Sequence, residues 1–145
     1  MNDDLDSYLN TLQDKLDAEA RARYGEDGFE RATSGRHSGQ LDNPDAVARL
    51  TGQCGDSILM QFAIRDGMIA RGVYWTDGCA SSSICASMVV ELALGRSVEE
   101  ACAIEPASVL AALGRFPEED NHCAYLATET LQTALHEWQG SQAGS

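Results

Sequence analysis

The chain has 145 residues, a length that suits one domain with its own hydrophobic core. Its 10 Lys and Arg residues stand against 23 Asp and Glu residues, and the net charge of −13 argues against nucleic acid or an anionic membrane as partner. No stretch approaches the ~20 apolar residues of a membrane span, and the acidic start does not resemble a signal peptide. We therefore expect a cytoplasmic protein with reduced thiols.

The amino-terminal segment has apolar residues at helical spacing. This pattern predicts an amphipathic helix over residues 3–24, which either packs on the core or docks a partner or a second copy. We expect Gly25 and Gly28 to interrupt it, before a further helical turn at residues 29–32 and a polar loop at residues 33–45. The apolar row consists of Leu5, Tyr8, Leu9, Leu12 and Leu16.

Period-two alternation follows the loop and predicts three strands. A weak strand at residues 47–51 precedes a longer one, and Asp66-Gly67 then forms a hairpin turn because both positions tolerate positive φ. The return strand is expected at Met68–Thr76. The residues expected to share one face are Ile58, Met60, Phe62 and Ile64 on the second strand, and Ile69, Val73 and Trp75 on the third.

Helices are predicted to cover this sheet. One spans about residues 82–94, a capping box from Ser97 to Glu100 opens a short second helix, and Pro106 suits the first turn of a third. The last helix is expected over residues 121–138. Strands followed by helices predict an α+β fold, with a three-stranded antiparallel sheet packed against helices and an extra amino-terminal helix.

The five cysteines are an odd number, so a complete set of disulfides is excluded for a monomer. Cys54, Cys79 and Cys123 lie at the ends of predicted elements. Two of them lie at helix amino termini, where backbone N–H groups are expected to favour a thiolate. Cys85 shares an apolar helical row and is interpreted as part of the core, although it follows Cys79 closely enough to stay open as a site residue. Cys102 is interpreted as structural.

Three thiolates and one further donor would make a four-coordinate site for a soft metal. Asp56 follows Cys54 at a spacing that would point both side chains the same way on a strand. His122 is adjacent to Cys123. Spacing alone leaves open whether Asp56 or His122 is the fourth donor, and whether either is more than a solvated surface residue.

Four stretches occur in order along the chain: Cys54-Gly55-Asp56, Asp66-Gly67, Thr76-Asp77-Gly78-Cys79 and His122-Cys123-Ala124-Tyr125. Together they resemble the iron–sulfur cluster assembly scaffolds of the IscU/NifU amino-terminal type, from about Phe29 to Trp138. The resemblance implies the IscU/NifU/SufE-like form of the α+β fold. It divides the chain into an amino-terminal helical extension at residues 1–28, a scaffold domain at residues 29–139 and a flexible tail at residues 140–145.

The resemblance also implies a function, the transient assembly of a [2Fe–2S] cluster on a scaffold protein that is not an enzyme. Sulfur would arrive as a persulfide from a cysteine desulfurase, iron and electrons would come from other donors, and the cluster would pass to apo-proteins. By the same resemblance Cys54, Cys79 and Cys123 would be cluster ligands, with Cys123 the persulfide acceptor. Asp56 would tune cluster lability, and His122 would be an alternative ligand. Zinc would suit the same ligands in the isolated protein.

The chain departs from this family before the His-Cys pair. Many scaffolds carry Leu-Pro-Pro-Val-Lys there, where an Hsp70-type chaperone binds, whereas this chain has Phe-Pro-Glu-Glu-Asp and ends the stretch with Asp120. The change argues against chaperone-assisted transfer. The alternative function is a sulfurtransferase partner that binds zinc and relays persulfide. A thiol oxidoreductase is disfavoured because no Cys-x-x-Cys pair is present.

Overall fold

The computed structural model of the chain describes residues 2–143. Within this range the strands form one antiparallel sheet in the order β1-β2-β3, which confirms the predicted α+β fold with its extra amino-terminal helix. A 3₁₀ turn at Glu118–Asp120 precedes the last helix. The elements are α1 (Asn2–Ser34), β1 (Ala46–Thr51), β2 (Ser57–Arg65), β3 (Met68–Thr76), α2 (Ala80–Ala93), α3 (Val98–Cys102), α4 (Pro106–Leu113) and α5 (His122–Ala143).

The β2–β3 hairpin turns where the sequence predicted. Asp66 and Gly67 have φ angles of 54° and 76°, as a two-residue turn with both φ angles positive requires. On β2 the predicted alternation holds, because Ile58, Met60 and Phe62 are fully buried. Local turn chemistry and a period-two pattern were sufficient to place this hairpin.

The predicted shared face on β3 is wrong. Ala63 pairs with Arg71, but the next residue, Ile64, pairs with Ile69, so β3 contains one extra residue at this point. Such a bulge shifts the alternation of a strand by one position. Ile69 therefore lies in the core at 1% exposure, whereas Trp75 is 42% exposed on the outer face of the sheet.

The core lies between one face of the sheet and helices α2 and α5, with α3 and α4 packed beside them. Leu131 and Leu135 of α5 are fully buried. This helix continues to Ala143, beyond the predicted end at Trp138 and into the predicted tail, whose residues 144 and 145 lie outside the described part. Across residues 2–143, no helix is both long and apolar enough to traverse a bilayer.

Helix α1 is broken at Gly25, whose φ of 79° and ψ of 173° are open essentially only to glycine. The prediction that Gly28 also interrupts the helix is wrong. Gly28 is helical and buried, and an added Cβ there would lie 2.8 Å from Tyr24 Cβ and 3.7 Å from Ile84 Cδ1. Its lack of a side chain therefore serves close packing rather than a turn.

Residues 3–16 of α1 stand away from the core. Every side chain from residue 3 to residue 16 is exposed. The apolar row itself is 41–65% exposed and meets no cover within residues 2–143. Packing on the core, one of the roles left open for this helix, is therefore wrong for residues 3–16, whereas Tyr24 at the end of the predicted helix packs against the core.

Candidate functional site

Cys54 and Asp56 lie in a tight turn between β1 and β2. The Gly52 N–H donates to the Asp56 carbonyl at 2.8 Å, and the Gly55 N–H donates to the Gly52 carbonyl at 3.0 Å. Gly55 has a φ of 92°, which favours glycine. The predicted reason for aligning Cys54 with Asp56, strand alternation, is therefore wrong. The turn itself brings both residues to one cleft.

Cys79 is the exposed N-cap residue of α2. The connection that carries it is fixed to the start of β2, because Asp77 Oδ1 accepts from the Ser57 N–H at 2.7 Å. Thr76 Oγ1 also donates to the Ser57 carbonyl at 2.6 Å. Because Ser57 directly follows Asp56, these bonds hold the Cys79 connection beside the Cys54 turn.

Cys123 lies in the first turn of α5 and is 2% exposed. Ser82 Oγ lies 3.6 Å from Cys123 Sγ and donates to Asp56 Oδ2 at 3.4 Å. The buried Ser82 hydroxyl thus contacts two of the predicted site residues at once. Sequence reasoning missed this residue, although its place one helical turn after Cys79 was a usable indication.

Burial raises the pKa of the Cys123 thiol to about 11. The hydrogen bond with Ser82 opposes this shift, while electrostatic interactions with Cys79, Asp120 and Cys54 add to it. Burial therefore opposes the Cys123 thiolate that the start of a helix was expected to favour. A cation that binds this sulfur must first displace its proton.

An open cleft of about 590 Å³ collects most of the predicted site residues. Cys79 does not line it but lies next to Gly78, which closes against Asp56. An added Cβ at Gly78 would lie 2.9 Å from the Asp56 carboxylate. The predicted residues that line the cleft are Cys54, Asp56, His122 and Cys123.

One wall of the cleft was not predicted. It consists of Tyr125, Leu126 and Glu129, which follow Cys123 along α5. Tyr125 is exposed, and Leu126 packs against the core. Spacing along a helix whose first turn already carried a predicted ligand would have indicated these residues.

The donors share this cleft without forming a closed coordination shell. Within residues 2–143, no three His, Cys, Asp or Glu side chains are arranged to hold a metal ion. Binding therefore requires the side chains to draw together. The available donors, which are thiols with one carboxylate or one imidazole, suit iron or zinc. Asp56 and His122 both line the cleft, so the structure keeps both as candidates for the fourth ligand.

Cys85 and Cys102 lie outside the lining of the cleft. Cys85 is fully buried on α2, and burial raises the pKa of its thiol far above the ordinary range. An electrostatic interaction with Cys123 adds to this shift. Burial also raises the pKa of Cys102. Cys85 is buried and Cys102 is half-buried outside the cleft, and both positions agree with a structural role.

The turn before α5 is connected to α1 and α2 through Asp120. Its Oδ2 accepts from Ser81 Oγ at 2.6 Å and from Arg23 Nη2 at 3.0 Å. Arg23 also pairs with Glu119 at 3.2 Å, and the Tyr24 hydroxyl lies 3.0 Å from Ser81 Oγ. Burial opposes ionisation of Asp120, but the hydrogen bonds from Ser81 and Arg23 hold its pKa below the ordinary value.

Two solved structures have the same fold. A NifU-like protein (N-terminal) from Brucella abortus matches with a TM-score of 0.63 and 19% identity, over 83% of this chain and 96% of the other. An iron–sulfur cluster assembly scaffold of the SUF system from Fervidobacterium islandicum matches with a TM-score of 0.63 and 20% identity, over 80% and 98%. At these identities the likeness concerns the fold alone.

Sequence comparison extends the likeness to the family. The iron-sulfur cluster assembly scaffold protein IscU 1 of Archaeoglobus fulgidus is 31% identical over 113 residues, which cover 77% of this chain and 74% of that protein. The IscU scaffold of Escherichia coli is 28% identical over 124 residues, or 82% and 96%. The family model of the NifU-like N terminal domain matches residues 23–144. The chain therefore belongs to the IscU/NifU family, as its ordered cysteine motifs predicted.

Proposed function

We propose that this protein is a scaffold on which a labile [2Fe–2S] cluster is assembled and from which it passes to apo-proteins. The observation that carries the proposal is one open cleft lined by Cys54, Asp56, His122 and Cys123, with Cys79 beside it. Relatives that are named iron–sulfur cluster assembly scaffolds support it. The cluster is the cargo of the protein and not a resident cofactor.

Cys123 is the proposed acceptor of persulfide sulfur from a cysteine desulfurase. Its raised pKa keeps the thiol protonated at neutral pH, so it reacts only when a base or a bound cation removes the proton. Persulfide sulfur is at oxidation level zero, so each atom needs two electrons to become sulfide. An electron donor and a ferrous iron donor are therefore required partners.

The donor set suits a cluster that must leave again. Permanent [2Fe–2S] centres are typically held by four thiolates. Here three thiolates would be joined by the Asp56 carboxylate or the His122 imidazole, both of which line the open side of the site. A weaker fourth ligand in an open cleft lets an incoming thiolate of an apo-protein replace it.

Three further points belong to this proposal. Zinc is expected to bind the same residues when iron is not supplied, because it favours tetrahedral sulfur and nitrogen or oxygen ligands. An Hsp70-type chaperone is not among the proposed partners, since acidic residues precede His122. The cytoplasm is the proposed location, although a relative from Kluyveromyces lactis is named as mitochondrial.

The test is anaerobic incubation with ferrous iron, cysteine and a cysteine desulfurase, followed by visible absorption spectroscopy. We expect a thiolate–iron absorption band in the wild type and in Cys102→Ala, which removes a cysteine outside the cleft. The band is expected to be lost in Cys54→Ala, Cys79→Ala and Cys123→Ala. An absorption band that persists in all three variants would refute the assignment of these cysteines as cluster ligands. A colourless wild type that still accepts persulfide would favour the sulfur relay instead.

A further inference from the structure

We propose that Arg23 is a positioning residue for this site, which holds Asp120 against Ser81 and thereby sets the distance between Cys79 and Cys123. The inference rests on the proposed function for its biological meaning, but its geometry stands on contacts that involve no cluster. Arg23 belongs to α1, and it precedes the break at Gly25.

The Asp120 carboxylate joins the starts of two helices. Ser81, which donates to it at 2.6 Å, lies in the first turn of α2 directly after Cys79 and Ala80. Asp120 itself ends the 3₁₀ turn that leads into α5 and Cys123. A shift of this carboxylate therefore moves the starts of both helices relative to each other, and with them the two sulfur atoms.

Arg23 supplies the positive charge that this arrangement needs. Glu118, Glu119 and Asp120 are consecutive carboxylates in a chain of net charge −13, and the site beside them contains the further carboxylate of Asp56 as well as the thiols and His122. Without a cation the carboxylates repel one another. The Arg23 guanidinium reaches two of the three, at 3.0 Å from Asp120 and 3.2 Å from Glu119. The Asp120 side chain is only 20% exposed, whereas Arg23 is 44% exposed, so water partly screens this pair.

Tyr24, the next residue, contacts Ser81 and the segment that leads to Asp120. Its hydroxyl lies 3.0 Å from Ser81 Oγ, and its ring lies 6.1 Å from the ring of Phe116, measured between centroids. Phe116 begins the segment that leads to Asp120. Two consecutive residues of α1 thus hold both partners of the Ser81–Asp120 hydrogen bond, which is why the placement of Arg23 is well defined.

The test measures the distance between the two sulfurs in the complete chain, without iron or a sulfur donor. Dibromobimane becomes fluorescent when it bridges two neighbouring thiols, and peptide mass spectrometry identifies the Cys79–Cys123 bridge. We expect Arg23→Ala to slow formation of this bridge by about tenfold and Arg23→Lys to have a smaller effect. The matched control is Arg21→Ala, which removes the same charge from the same helix, where Arg21 pairs with Glu26 at 3.3 Å.

The charge-swapped pair Arg23→Asp with Asp120→Arg separates positioning from general stability. The proposal requires the double variant to bridge Cys79 and Cys123 faster than either single change. It is overturned if Arg23→Ala bridges at the rate of Arg21→Ala, or if the swap does not recover bridging. Should circular dichroism show that Arg23→Ala unfolds, the swap alone decides. Because no cluster is formed, failure here is distinct from failure of the reconstitution experiment.

Discussion

Asp56 owes its position to its neighbours. Its carboxylate accepts a hydrogen bond from Ser82 and lies against Gly78, where any side chain would collide with it. The partners come from α2 and from the turn before it, so this ligand candidate moves with the helix that carries Cys79. A change at Asp56 and a change at Gly78 therefore test different things, the chemistry of the ligand and its placement.

We predict that Asp56→Ala prolongs the lifetime of an assembled cluster, by about tenfold. In the proposed function the carboxylate is the weaker donor that an incoming thiolate would displace, so its removal would take away the easiest route of exchange. The measurement is the decay of the visible absorption after reconstitution, with Asp42→Ala, an exposed carboxylate outside the cleft, as control. An unchanged or shorter cluster lifetime would contradict this prediction.

Gly78→Ala is expected to weaken zinc binding and to lower the free energy of unfolding by about 1–3 kcal/mol. The new Cβ would lie 2.6 Å from Ser82 Oγ and 2.9 Å from the Asp56 carboxylate, so both must move. Zinc competition with a chromophoric chelator and urea unfolding measure the two effects. Gly140→Ala, on α5 with nothing within 4 Å, is the matched control and should not destabilise the protein. Equal behaviour of the two variants would contradict the prediction.

At the scale of elements, Arg31 joins the second segment of α1 to α2. It is 1% exposed, and its guanidinium donates to Asp27 at 2.8 Å, to Ser87 at 3.1 Å and to Glu91 at 2.7 Å. The hydrogen bond from Arg31 is the main cause that lowers the pKa of Glu91 to about 2. Burial opposes this shift, and the hydrogen bond with His37 adds to it. A buried cation with these partners fixes one helix on the other.

The ion pair between Arg31 and Glu91 predicts that the folded protein loses stability in acid. Because Glu91 has a lower pKa in the folded chain than its ordinary 4.5, its contribution to stability is complete above about pH 4.5 and is lost as the pH falls towards 2. Glu91→Gln should cost about 1–2 kcal/mol at neutral pH, since a 39% exposed side chain is partly screened by solvent. The substitution should also reduce how steeply the free energy of unfolding falls as the pH drops from about 4.5 to about 2. Urea unfolding from pH 7 to pH 2 measures both, with the exposed Glu99→Gln on α3 as control. An equally steep fall in wild type and Glu91→Gln would contradict this assignment.

Sequence reasoning placed those elements whose causes are local. The Asp66-Gly67 turn and the Ser97 capping box are written in neighbouring residues, and both are present. It failed where the cause is tertiary. Gly28 differs from Gly25 because Tyr24 and Ile84 crowd it, and nothing in the local sequence indicates this.

In the candidate site, too, residues within local motifs were predicted and residues that act through tertiary contacts were not. Motif order identified the cysteines, Asp56 and His122, and most of them line one cleft. Ser82 was missed although it lies one helical turn after Cys79. Arg23 was missed because it contacts Asp120 across a sequence separation that no spacing rule covers. The bond between Ser81 and Asp120 likewise depends on how α2 and the turn before α5 meet.

At the scale of the whole molecule, stability resides in the sheet and the helices that cover it, and not in residues 3–16 of α1. The double change Leu9→Ser with Leu12→Ser should alter the free energy of unfolding by less than about 0.5 kcal/mol per site, because both side chains are exposed. Leu131→Ala, at a fully buried position of α5, should cost about 2–5 kcal/mol. Chemical denaturation of both variants beside the wild type measures the contrast. A large loss in the double serine variant would show that this segment packs on the domain after all.

The unequal burial of the cysteines has a consequence for oxidative damage. Oxidation of a thiol follows its exposure and its thiolate character. Cys54 and Cys79 are exposed, whereas Cys85 and Cys123 are buried. Peroxide should therefore oxidise Cys54 and Cys79 before Cys123. The first products, sulfenic acids or disulfides, are those that cellular thiols can reduce again. The buried Cys123 would remain intact through that first stage, so a damaged scaffold would be repaired by reduction rather than replaced.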